Sequence, residues 1–464
     1  MQPAKVLKMT IEGYTEEEFG TKLGVLLSPA RPIHDVEYLK GRNKELDTIK
    51  KCLYAPGRHV FIYGDRGVGK SSLGQTAAFQ YQTAGTMPIF ASGSPNDTFN
   101  TIVGNIVSQA IGQRRTEAVD RFEQQSVELN GMKFSEGHEA TGIDLAAAIR
   151  SVGDAVELLS QIAGQSDKRC VVIDEFDTIA DPVERNKFAA LLKQMGDRSI
   201  KIKFIFTGIG RSLDELLGAH QSAYRQLETV ELLRLGWDAR REIVRSAVES
   251  FGIGLNDDVN WRIAMVSDGY PYYVHLVTEK ILWAAYSASV PADEIGWDLF
   301  NQGLADAIVS TTAELKRPYE RAVLHRGQEF EDIVWATADH DDLLRSTNDM
   351  YQSYQVIVGK RRDGRAAIDR ARFITQLRKL KTPSYGSVLQ QEEGRPGWYS
   401  YREKMLRGFA RMQAQANGVE LTGERAAPRQ QMHMSNVRIG YHGPSIPVGV
   451  RSRKTISEWE DVKE

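Results

Sequence analysis

His59-Val-Phe-Ile-Tyr63-Gly64-Asp65-Arg66-Gly67-Val68-Gly69-Lys70-Ser71-Ser72 decides how the rest of the chain is read. Five β-branched and aromatic residues make a short strand. A glycine loop follows, and Ser71 to Gln82 then alternates polar and apolar residues at helical spacing. The pattern G-x-x-x-x-G-K-[ST] arises by chance in a chain this long about once in fifty, and its place between a strand and a helix makes chance rarer still. Glycines at Gly64, Gly67 and Gly69 let the backbone wrap closely round phosphates and turn successive N–H groups toward them, with a helix N-terminus behind. Lys70 is placed to meet the β- and γ-phosphates and Ser71 to offer its hydroxyl to Mg²⁺. The stretch from Gly64 through Asp65, Arg66, Val68 and Lys70 to Ser72 is thus the expected seat of ATP.

Outward from this stretch, three more short apolar runs end in turn or acidic residues: Met87 to Ala91, Cys170 to Ile173 and Ile200 to Thr207. Continuous apolar strands separated by helical stretches predict an α/β fold with a parallel sheet covered on both faces. A phosphate loop needs a carboxylate for the metal. Asp174, at the end of a buried strand, is expected to hold Mg²⁺ through water, and its neighbour Glu175 to orient and deprotonate the attacking water. Thr207 ends the fourth strand, where its hydroxyl either lies near the γ-phosphate or serves packing. Arg225, before the run Thr229 to Leu232, either touches a neighbouring subunit's nucleotide or pairs with a surface acid. The polar stretch 113–142 reads as an insertion.

The 464 residues carry 41% apolar and 26% charged side chains, an ordinary balance for a water-soluble protein, and exceed one usual hydrophobic core. No apolar run approaches the roughly 20 residues of a membrane span, and the polar start does not resemble a secretory signal. Cys52 and Cys170, without a CxxC or nearby His, read as buried reduced thiols, so a cytoplasmic protein with no membrane partner is expected. Charge is uneven: Tyr351 to Glu464 has 21 Lys and Arg against 11 Asp and Glu, leaving 38 against 50 for the remainder. From Trp237 to about Val309 apolar residues recur at helical spacing with no strand-like alternation. After a break at Lys316-Arg317-Pro318 come helical segments, then Gly386 to Leu389, a turn around Gly394 to Gly397, and Trp398 to Tyr401. Helices followed by a two-stranded hairpin suggest a winged helix.

Gly41-Arg42-Asn43-Lys44-Glu45-Leu46, the glycine loop, Asp174-Glu175-Phe176-Asp177, Thr207 and Arg225 together resemble AAA+ ATPases of the origin-recognition initiator type and the related STAND signalling ATPases. The resemblance spans about Pro32 to Met412. Together with the runs and breaks above it gives a layout of N-terminal extension 1–31, AAA+ core 32–235, helical lid 236–315 and winged-helix domain 316–415, while 416–464, rich in Gly, Pro, Arg and Ser without periodicity, reads as a tail. It further implies that Arg42 lies near the adenine, that Thr207 is the first sensor and that Arg225 is the arginine finger of an oligomer. Where initiators carry Gly-Asp-x-Arg in the lid, this chain has Gly269-Tyr270-Pro271-Tyr272, closer to the STAND branch, in which the lid proline lies near the base. On the winged helix, Arg370, Arg372, Arg378 and Lys379 would occupy the recognition helix, with Lys381 just beyond and Arg395 in the wing. Cations there suit phosphates of duplex DNA, and Thr375 or Gln376 base edges. The expectation is an ATP-binding and hydrolysing switch that couples its nucleotide state to assembly and DNA binding. The alternative is a protein-sensing STAND switch, for example in antiphage defence.

Overall fold

A computed structural model describes residues 11–421 apart from 12, 30, 34, 83–86, 113–125, 130–131, 136–141, 164–167, 211–224, 290–291 and 362–363. Its centre is a five-stranded parallel sheet of β1 (His59–Tyr63), β2 (Ile89–Ser92), β5 (Arg169–Asp174), β6 (Ile202–Gly208) and β7 (Leu227–Glu231), in the spatial order β2-β5-β6-β1-β7. The apolar run of each central strand divides by the two-residue period between two cores. Val60, Ile62, Val172 and Ile205 join a core shared with helix Lys70–Tyr81 and the C-terminal helices. Phe61, Val171, Ile173, Phe204 and Phe206 join the other, beneath helices Phe99–Gly112, Val152–Ala163 and Pro182–Asp197. Burial on both faces explains why these strands read as unbroken apolar runs. Cys52 and Cys170 are free and buried.

Of the expected insertion 113–142, the described part is the antiparallel hairpin β3 (Ser126–Leu129) and β4 (Met132–Ser135), together with Gly142. Gln161 on the neighbouring helix fastens the hairpin by accepting from Glu128 N at 2.8 Å and donating to Glu128 O at 2.7 Å. At the N-terminal side, Thr15 caps helix Glu16–Leu26 in a capping box, and Phe19 stacks on Tyr286 at 4.4 Å.

Beyond β7, helices Trp237–Glu249, Asp257–Val266, Pro271–Tyr286 and Trp297–Ser310 pack together. Contrary to the strand-free expectation, β8 (Gly254–Leu255) and β9 (Glu294–Ile295) form a small parallel pair there. The break expected at Lys316-Arg317-Pro318 is not a break, because helix Ala313–Val323 runs through Pro318. The ring removes one N–H donor from the ladder, while the helix buries Leu315, Tyr319 and Ala322 on one face. Next come helices Gln328–Ala338, Thr347–Lys360 and Arg370–Lys379. The hairpin β11 (Leu389–Gln391) and β12 (Trp398–Tyr401) gains a third antiparallel strand, β10 (Leu344–Ser346), on β12. Packing does not stop at Gln415: helix Leu406–Ala416 leads to buried Val419 and Leu421. The rest of the expected tail, 422–464, lies outside the described residues. Among the described residues no helix is long and apolar enough to cross a membrane.

Candidate functional site: a phosphate loop roofed by the C-terminal segment

Parallel pairing brings the ends of β1, β5 and β6 to one edge of the sheet, where Tyr63 lies opposite Gly208 and Ser92 opposite Asp174. Ligands of open parallel sheets bind at such carboxyl edges. Gly69, at φ 96°, is the N-cap of helix Lys70–Tyr81, a left-handed position that glycine takes at little cost. Lys70 Nζ donates to the carbonyls of Gly64 at 3.1 Å and Asp65 at 2.9 Å, so the lysine curls over its own loop. Burial pushes its pKa down, against the pull of nearby Asp177, Asp174, Asp65 and Glu175. Ser71 follows in the first turn, half-buried. Ser72 Oγ accepts from Ile33 N at 3.1 Å, tying the chain before the core to the loop helix.

Arg42 is buried, and its guanidinium donates to Val68 O at 2.9 Å and Leu233 O at 2.7 Å. It braces the loop from behind against the end of β7. Pro271, the first residue of helix Pro271–Tyr286, lies beside the loop, its ring carbon 3.7 Å from where a Cβ on Gly69 would sit. Across the edge, Asp174 Oδ1 accepts from the Thr207 hydroxyl and from Glu175 N at 3.0 Å. Thr207 therefore orients the first acid. Glu175 itself is exposed and left-handed at φ 51°, held by Thr178 Oγ1 donating to its carbonyl at 2.8 Å. A non-glycine residue kept in that conformation costs about 1–2 kcal/mol, and such strain concentrates at functional sites. Among the described residues no group of three His, Cys, Asp or Glu could hold a metal ion unaided. An ion at the expected Ser71 and Asp174 would have to be completed by substrate phosphates and water.

The contacts that no local pattern announced come from the far end of the chain. Lys404 Nζ binds Asp65 Oδ1 at 2.6 Å. Met405 covers the loop so closely that a Cβ on Gly67, where φ is 78°, would lie 2.3 Å from its sulfur. Tyr273 Oη donates to Met405 O at 2.9 Å, clamping the roof to helix Pro271–Tyr286. Arg66 pairs with Glu314 at 2.8 Å on the exposed rim. Behind the roof, buried Asp268 takes Arg407 on both carboxylate oxygens at 2.6 and 2.7 Å, Arg234 at 2.7 Å and Arg411 at 3.2 Å. Burial alone would raise the carboxyl's pKa, but Arg407 and Arg411 outweigh it and hold it at about 2. Tyr270 Oη, also buried, has no hydrogen-bond partner among the described residues.

The remaining candidates lie apart from this edge. Arg225 is exposed just before β7. On helix Arg370–Lys379, Arg370 and Arg378 are exposed, whereas Arg372 is paired with Glu329 at 3.1 Å. Lys379 Nζ lies 5.8 Å from the Phe330 ring centroid, and Lys381 Nζ donates to Gln391 Oε1 at 3.1 Å. Arg395 is exposed in the β11–β12 turn, and Thr375 Oγ1 donates to Ala371 O at 2.9 Å.

Residues 38–205 match the AAA ATPase domain family. The chain thus carries an AAA-type P-loop ATPase domain on an α/β fold with a parallel sheet. Among solved structures it is similar to the Walker-type ATPase paby2304 of Pyrococcus abyssi, with 15% identity, TM-score 0.47 and coverage of 82% of this chain and 99% of that one. It is also similar to the Aeropyrum pernix ORC2 protein in its ADPNP–ADP complexes, at 13% identity and TM-score 0.47 over 84% of this chain and 98% of that one. The Aeropyrum pernix ORC1 protein in complex with DNA gives 12% identity and TM-score 0.41 over 84% and 96%. No curated protein matches the chain.

Proposed function

We propose that this protein is an ATP-binding and ATP-hydrolysing switch whose phosphate-loop state is read directly by its C-terminal unit, and that this unit binds duplex DNA. The observation that carries the switch is the Lys404–Asp65 bond, with Met405 seated on Gly67. A change of charge in the loop meets the C-terminal unit without an intermediary.

In this reading Lys70 leaves the carbonyls of Gly64 and Asp65 for the substrate phosphates. Ser71 and Asp174 would hold Mg²⁺, and Thr207 keeps Asp174 aimed. The metal would supply charge neutralisation across the phosphates when bound. Glu175, exposed and fixed in its left-handed turn, orients and deprotonates a water. The helices from Ala313 onward with β10, β11 and β12 are read as a winged helix, offering Arg370, Arg378 and Arg395 to DNA phosphates. Pro271 beside Gly69 favours a second reading, the protein-sensing switch of the STAND kind, in which the winged helix binds protein instead.

One pair of variants tests the centre of the proposal. Lys70→Ala should lose nucleotide binding while its unfolding curve stays near wild type. Glu175→Gln should still bind nucleotide and turn it over about 100-fold or more slowly. Wild-type turnover in Glu175→Gln would move the water-activating role elsewhere, and wild-type turnover in Lys70→Ala would end the ATPase reading.

A further inference from the structure

We infer a second phosphate-backbone contact surface for duplex DNA, on the exposed face of helix Ala313–Val323 and the turn Pro383–Tyr385, running on from the end of helix Arg370–Lys379. It rests on the reading that the C-terminal unit binds DNA and adds a surface to it. Arg317 and Arg321 stand four residues apart, so they share one face of their helix. Both are exposed, and among the described residues neither has an ion-pair or hydrogen-bond partner. Arg326 follows, donating to Ser384 O at 3.0 Å with its guanidinium 4.2 Å from the Tyr385 ring centroid. Lys379, at the end of helix Arg370–Lys379, lies 5.9 Å from the same ring. The cations therefore form a track from Arg317 through Tyr385 to Lys379. The turn is pressed onto the first helix so closely that a Cβ on Gly386 would lie 2.1 Å from Pro318 O.

Between the two elements is a cleft of about 570 Å³ lined by Arg317, Arg321, His325, Arg326 and Ser384, with Glu320 its one acid. Small-molecule sites are predominantly apolar. This cleft has a single exposed aliphatic side chain, Leu324, and suits a chain of phosphates instead. A separate observation comes from His325, exposed at φ 58° just past the helix end. Glycine is the usual residue there, yet an exposed imidazole is kept in strained backbone beside the arginines.

The test is anisotropy of the full-length protein with a fluorescent duplex of about 25 base pairs across a KCl series, with and without ATP. Two backbone contacts should contribute about 1.8 to the salt slope and about 30-fold in affinity at 0.15 M. Arg317→Ser/Arg321→Ser should lose that much, equally on unrelated sequences because phosphates carry no sequence information, while nucleotide binding stays at the wild-type value. His325→Gly should bind DNA more weakly with a melting temperature no lower than wild type, which a purely structural histidine would not do. If the arginine pair variant binds as wild type while Arg370→Ala/Arg378→Ala loses affinity, the second surface is wrong and DNA binding stands. If the wild-type protein shows no salt-dependent DNA binding in either nucleotide condition, both fall. Tighter binding to an RNA duplex of the same sequence would also overturn the assignment to DNA.

Discussion

Replacing Lys404 by alanine tests whether the roof matters to the phosphate loop. Lys404 and Asp65 are 37% and 33% exposed, so water screens the pair and its own worth is about 0.2–1 kcal/mol. Its larger consequence is electrostatic. Without Lys404, the Asp65 carboxylate stands unneutralised on a loop built to receive anions. Taking about 1 kcal/mol, nucleotide should bind about five-fold more weakly in Lys404→Ala. The loss should shrink at 1 M KCl, where the screening length is about 3 Å. Asp65→Asn added to Lys404→Ala should restore affinity, since the charge that Lys404 neutralises is then gone. By linkage, the factor by which the roof favours nucleotide is the factor by which nucleotide favours the roof, so ATP should slow amide exchange over residues 404–412. Calorimetric titrations of the wild type and three variants at 50 mM and 1 M KCl measure the whole cycle. A loss that persists in the double variant, or no loss at low salt, refutes the charge argument.

Arg225→Ala should lower turnover about ten-fold or more while nucleotide affinity stays near wild type, and mixing it with Lys70→Ala should recover part of the activity through shared sites; no recovery from a strictly monomeric ATP-bound protein would make Arg225 a surface residue only. Acid should destabilise the fold through His59 and His275, which burial holds near pKa 3 and 4 respectively. Both accept a backbone N–H on Nδ1, from Phe204 at 3.1 Å and Ser28 at 3.4 Å, and so are neutral. Above pH 6.5 neither state takes the proton; below it only the unfolded chain does, costing about 2 kcal/mol per histidine by pH 5. Urea midpoints at pH 7.5 and 5 should show the drop, smaller by about half in His275→Gln, and a flat profile would contradict it.

What could be read from the sequence was what depends on neighbours in the chain. The strand, loop and helix around Gly64–Ser71 are set by a local apolar run, glycines and helical spacing, and Asp174-Glu175 by their place after four apolar residues. The roof was not legible, because Lys404 and Asp65 are 339 residues apart and nothing about a Glu-Lys-Met segment indicates a phosphate loop. Strands of two or three residues, such as β8, β9 and β10, are too short to show a period. Arg372 read as free for DNA because its partner Glu329 lies on another helix. Pro318 read as a break because the cost of proline is local, while the burial of Leu315 and Tyr319 that offsets it is tertiary.

Asp268 ties the roof to the turn before helix Pro271–Tyr286. A buried carboxylate facing three guanidinium groups is a poor device for stability, since desolvating four charges offsets much of their attraction. It is an effective device for position, because removing the carboxylate would leave Arg407 and Arg411, both buried, without their counter-charge. Asp268 and Gly269 are both left-handed, at φ 53° and 78°, and the helix begins at Pro271 beside Gly69. Four residues, Asp268 to Pro271, thus connect the Arg407 guanidinium to the phosphate loop. On the other side, Arg407 is three residues from Lys404, which binds Asp65 on the same loop. The loop, the turn 268–271 and the start of helix Leu406–Ala416 form a closed ring of contacts. The C-terminal helix cannot shift without either breaking the bonds to Asp268 or carrying residues 268–271 with it.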